Sequence, residues 1–84
     1  MKQATVDRIV ALNNKIFDME RTVDNLEHAV SSQRYYLAAD KTADRVLELR
    51  GAMENLNTAR RRLEALRREL DGEMLTIFNE NNWN

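Results

Sequence analysis

The side chains best equipped for chemistry cluster in one run, Arg60-Arg61-Arg62-Leu63-Glu64-Ala65-Leu66-Arg67-Arg68. Seven-residue spacing repeats Arg60 as Arg67 and Arg61 as Arg68, so on a helix Arg60, Arg61, Arg67 and Arg68 form one stripe. Such a stripe can track phosphates or hold an anionic ligand through forked N–H donors. The run also contains Glu64, and Glu69 and Asp71 follow it. Glu64 stands at intrahelical ion-pair spacing from both Arg60 and Arg68. A solvated face whose charges pair among themselves is therefore the preferred reading, with nucleic-acid or nucleotide binding as the competitor.

A second candidate cluster is Arg34, Tyr35, Tyr36, Lys41 and Arg45. Tyrosine and arginine are enriched where proteins grip partners, and tyrosine rings also stack on bases. The competing reading lays both rings along the protein's own surface or against another subunit. Trp83, the sole tryptophan, lies in an asparagine-rich tail and could anchor onto the body or onto a partner. His28 has no neighbours that complete a metal or catalytic set, and cysteine is absent. Ser31 and Ser32 lack a histidine base, and the sequence contains neither a Glu-x-x-His motif nor a glycine-rich phosphate loop. The expectation is a protein that is not an enzyme and carries no metal or cofactor.

These residues must be positioned by helices. The chain has 84 residues, no proline and two glycines, Gly51 and Gly72. A β fold would need turn residues that are missing, whereas Leu, Arg, Glu and Ala dominate from Ala43 to Leu75. Charged residues make up 32% at a net charge of −1, a balance that does not favour polyanions overall. No apolar run approaches the ~20 residues of a membrane span, and the first residues do not resemble a signal peptide. A cytoplasmic location and no membrane partner are expected.

Two heptad repeats organise the chain. In the first, Ile9, Ile16, Val23, Val30 and Leu37 occupy a, while Leu12, Met19 and Leu26 occupy d; Gln33 is the first polar d. In the second, Leu49, Leu56, Leu63, Leu70 and Ile77 occupy a, while Ala52, Ala59 and Leu66 occupy d. Leu37 and Leu49 are twelve residues apart, which breaks the phase, and a single stutter or stammer does not repair that. A turn does. The sequence predicts helix 1 over about 4–38, a turn over about 39–42, helix 2 over about 43–79 and a flexible tail over 80–84, all in one domain. Asp40 or Thr42 would cap the second helix.

A turn centred on Lys41 makes facing residue numbers sum to about 82. Ile16 then meets Leu66, and Met19 meets Leu63. In an antiparallel pair e flanks e and g flanks g, which sets Glu20 near Arg60, Lys15 near Glu69 and Val6 near Met74. Ser31 falls level with Gly51, predicting close packing there or else a kink or gap for a ligand or subunit. Several large apolar residues remain outside the seam: Val6, Val10 and Phe17 on helix 1, and Met74, Leu75 and Phe78 on helix 2. They lie at the end away from the turn and predict an oligomer interface, because so small a chain needs extra support.

The expected fold is thus all-α: an antiparallel, coiled-coil-like two-helix hairpin that self-associates into a helical bundle, with a dimer favoured. The expected function is protein–protein interaction, as a small adaptor, assembly factor or inhibitor binding itself and another protein. The alternative is a bundle that binds RNA or a small anionic nucleotide through the Arg60–Arg68 stripe and Tyr35 or Tyr36. In outline, and without a shared motif, the architecture resembles Rop-type RNA-binding hairpins, which would imply RNA as the ligand.

Overall fold

A computed structural model describes residues 2–81, with side chains as far as Asn79. Helix α1 spans Gln3–Ala39 and helix α2 spans Ala43–Asn81. They pack side by side in opposite directions, as contacts from Arg60 to Glu27, Arg67 to Glu20 and Arg8 to Glu73 require. The fold is the expected all-α hairpin, drawn out into a rod of 65 × 15 × 13 Å. Among the described residues there is no strand, and no helix is long and apolar enough to cross a membrane.

The heptads account for the core. Ile16, Val23 and Val30 from α1 are buried with Leu56, Ala59 and Leu63 from α2. Met19, Leu26, Leu49, Ala52, Leu66 and Leu70 close around them. Each fully buried Ile, Val or Leu contributes roughly 1.5–3 kcal/mol, and these aligned stripes hold together two helices that would otherwise gain little from propensity alone. Towards the open end polar residues enter the seam beside Ile9, Leu12 and Ile77. Thr5, one heptad before Leu12 at a d position, is only 2% exposed, the most buried side chain described. Its hydroxyl accepts a hydrogen bond from Arg8 Nη2 at 3.3 Å, and Arg8 Nε donates to Glu73 Oε1 at 3.0 Å. Glu73 also occupies a d position. Gln33 is half-buried, and its Oε1 has no hydrogen-bond partner among the described residues.

The turn reverses the chain in three residues, Asp40-Lys41-Thr42, with no positive φ. Asp40 leaves the helix in an extended conformation while its N–H still donates to Tyr36 O at 2.8 Å. Of the two expected caps, Thr42 does the work: its Oγ1 accepts from the Arg45 N–H at 3.3 Å and its carbonyl accepts from the Val46 N–H at 3.2 Å. Asp44 adds a favourable charge to the first turn of α2. Arg45 then fastens the corner. Its guanidinium lies 5.0 Å from the Tyr36 ring centroid, 3.9 Å from Asp40 and 3.1 Å from Glu48. A cation–π clasp thus serves where glycine or proline is missing.

Three expectations need correcting. Helix α2 runs on to Asn81 instead of ending at 79, since asparagine disfavours a helix by well under 1 kcal/mol and neither glycine nor proline stops it there. Glu20 does not pair with Arg60: Glu20 contacts Arg67 at 3.5 Å and Glu27 contacts Arg60 at 3.4 Å. Both contacts join e to e as the geometry demands, with partners one heptad further along, within reach of long guanidinium side chains. Nor do Ser31 and Gly51 approach closely. Ser31 lines a groove with Met53 and Leu56, whereas a Cβ on Gly51 would meet nothing within 4 Å. One is at b and the other at c, on opposite sides of the hairpin.

Candidate functional site

An antiparallel hairpin has two broad sides, one formed by e and b positions of both helices and the other by g and c. Two shallow grooves display the first. Near the turn, Glu27, Ser31 and Arg34 of α1 face Met53, Asn57 and Arg60 of α2 across the seam residues Val30 and Leu56. Further along, Glu20 and Asp24 face Glu64 and Arg67 across Val23 and Leu63. The other side carries a groove lined by Arg8, Ala11, Lys15, Glu69, Gly72 and Thr76. Lys15 and Glu69 share it as expected, yet the ion pair there is Arg8–Glu73.

The two sides differ in what they expose. Ten large apolar or aromatic side chains are exposed among the described residues. Val10, Phe17, Val46, Met53, Met74 and Phe78 occupy b or e, Tyr35, Leu47 and Leu75 occupy the outermost position f, and Tyr36 alone occupies g. The c positions contribute none. Phe17 and Phe78 are each 61% exposed. Five of the six residues expected at the oligomer interface, Val10, Phe17, Met74, Leu75 and Phe78, are exposed, and Val6 is half-buried. Val46, Leu47 and Met53 form a second apolar group on the same side near the turn, which the search for surplus residues at the open end passed over. The e, b and f positions of α2 would have located it.

Between the two apolar groups lies a charged band. Arg60 and Arg67 lean towards α1 and contact Glu27 and Glu20. Arg68 pairs with Glu64 at 2.6 Å, and Arg61 Nε donates to Asn57 O at 3.4 Å. The four arginines thus divide: one pair bridges the helices at e and the other lies along α2 at f. Three of them contact a carboxylate. Exposed pairs of this kind contribute ~0.2–1 kcal/mol each.

The turn-region residues divide as well. Tyr36 and Arg45 belong to the corner clasp. Arg34 lines the e-side groove. Tyr35 is 73% exposed and meets Tyr36 edge-on at 5.9 Å between centroids, and Lys41 is exposed in the turn. Trp83 lies outside the described residues. Among the described residues no group of three or more His, Cys, Asp or Glu is placed to hold a metal ion. No protein-family model, curated protein or solved structure matches the chain.

Proposed function

We propose that this chain is a non-enzymatic protein–protein interaction module: a small cytoplasmic helical adaptor, assembly factor or inhibitor. Its seam is coiled-coil-like, and its docking surface is the e/b side. The observation that carries this reading is the gathering of exposed large apolar residues on that side and its outer edge. Scattered apolar residues are ordinary, whereas apolar surface concentrated on one side and framed by charge marks an interface. Burying Phe17 or Phe78 would contribute roughly 1.5–3 kcal/mol each.

The competing RNA or nucleotide reading needs guanidiniums ready for phosphate. Arg60, Arg67 and Arg68 are engaged with Glu27, Glu20 and Glu64, and Arg45 is engaged with Tyr36. An anion would have to displace those carboxylates, which favours the protein-binding reading. The test compares capture by the full wild-type chain with capture by Phe17→Asp/Phe78→Asp, using host extract and quantitative mass spectrometry. The expected result is at least one protein retained by wild type and lost by the variant, with helical circular dichroism unchanged. Identical captured sets from a wild-type chain that is itself monomeric would refute the reading. Co-purifying nucleic acid that Arg61→Glu/Arg68→Glu releases would favour the alternative.

A further inference from the structure

We infer that the occupant of the e/b side is a second copy of this chain, stacked face to face about a two-fold axis running along the rod, open end on open end. This rests on reading that side as a protein-docking surface, and it names the partner and the orientation.

The size of the surface fits. One side of a 65 × 15 Å rod offers on the order of 1,000 Å² per copy, in the range of stable homodimer interfaces. The pattern along it is apolar, charged, apolar: Phe17 and Phe78 towards the open end, the ion-paired band in the middle, Val46 and Met53 near the turn. A homodimer interface must be complementary to itself under its two-fold axis, and this pattern can meet its own copy in two full-length ways.

An axis across the rod would lay α1 on the partner's α1 and the open end on the turn. The acidic stretch of α1, Glu20, Asp24 and Glu27, would then oppose its own copy. An axis along the rod lays α1 on the partner's α2. The same carboxylates then face the partner's Arg60 and Arg67, the two arginines on this side, which also contact Glu27 and Glu20 within their own copy, and each apolar group meets its like. Arg21 and Glu64 are the minority charges in the two stretches and do not reverse their signs. Opposite charges favour the second arrangement, and like charges oppose the first by an amount that grows as water is excluded. The arrangement is a four-helix bundle in which every helix has antiparallel neighbours. The charges set its orientation, and the apolar groups supply its affinity.

The chain has no cysteine, so a single Lys41→Cys substitution at the exposed turn gives a unique labelling site. The full chain carrying a nitroxide there is measured by pulsed electron resonance, alongside sedimentation of unlabelled wild type and Phe17→Asp. The expected mass is twice the 9.8 kDa of one chain. The expected label separation is within about three helix diameters. Phe17→Asp should weaken the dimer about tenfold or more while keeping its helicity, and Phe78→Asp should do the same. A separation approaching the 65 Å rod length, or exceeding it, would overturn the orientation. A wild-type monomer at high micromolar concentration would overturn the inference. If that monomer still captured a different protein that Phe17→Asp/Phe78→Asp loses, the docking-surface reading would survive and only the second copy would be refuted.

Discussion

At Gln33 the seam departs from the apolar pattern that builds it. Its Oε1 is buried without a hydrogen-bond partner among the described residues, and an unsatisfied buried acceptor costs about 1–3 kcal/mol. Gln33→Leu should therefore raise the urea midpoint; a lower midpoint would show that the oxygen is satisfied in solution. The clasp at the corner makes a second residue-level prediction. Tyr36→Ala or Arg45→Ala should each lower stability by about 0.5–1 kcal/mol, read as a fall in melting temperature, whereas Tyr35→Ala should change it little. Equal losses at Tyr35 and Tyr36 would argue against the clasp. In the sequence Tyr36 was one of two tyrosines with a choice between partner and self, and it took the second because Arg45 lies across the turn. The partners of Glu20 and Glu27 were not legible, since a guanidinium on a long stem can bridge to either of two heptads. Thr5 and Glu73 escaped notice because a d position filled by a polar residue is invisible to a search for apolar periodicity.

The helices themselves were legible because every local signal agreed: no proline, two apolar stripes of constant phase, and a phase break where the chain must reverse. The turn was placed by that break alone, and its capping residue came down to Thr42 only once the backbone geometry was known. The C-terminal end of α2 was less legible, as asparagine weakens a helix without stopping it. Gly51 and Gly72 both lie inside α2, and an added Cβ at either would meet nothing within 4 Å. Neither has a positive φ. Replacing each by alanine should stabilise the hairpin by about 0.5–1 kcal/mol through restricted unfolded-chain freedom and better helix propensity. For a chain of this size that corresponds to a rise in melting temperature of roughly 2–8 °C per substitution. A drop in melting temperature at either site would point to another helix or chain packed against it in solution.

As a whole molecule, the rod has one seam two helices wide, with most of its charged side chains in water. A single seam leaves much of each helix uncovered, so stability should depend on whatever covers the e/b side. If a second copy does, the melting temperature must rise with protein concentration, because dimerisation stabilises the folded state by mass action. Scanning calorimetry over a hundredfold concentration range checks this, and a constant midpoint would show that the hairpin stands alone. Which side carries the exposed apolar residues could be read from their heptad positions. Who covers it could not, because one chain records the shape of its surface and not the identity of its complement.

The three-residue turn has a consequence for how copies could exchange parts. Nothing in Asp40-Lys41-Thr42 is strained into a left-handed conformation, so the corner is held by the Arg45–Tyr36 clasp and not by its backbone. Opening that corner would let two chains swap arms through one long helix. The twelve-residue step from Leu37 to Leu49 opposes this. At about 100° per residue, the two apolar stripes of a straightened chain would point roughly a third of a turn apart. A straight partner could cover one stripe and would leave the other in water. The angular offset between the two halves therefore disfavours arm exchange beyond what the corner clasp does, and deleting or inserting residues near the turn should weaken that barrier before it weakens either helix.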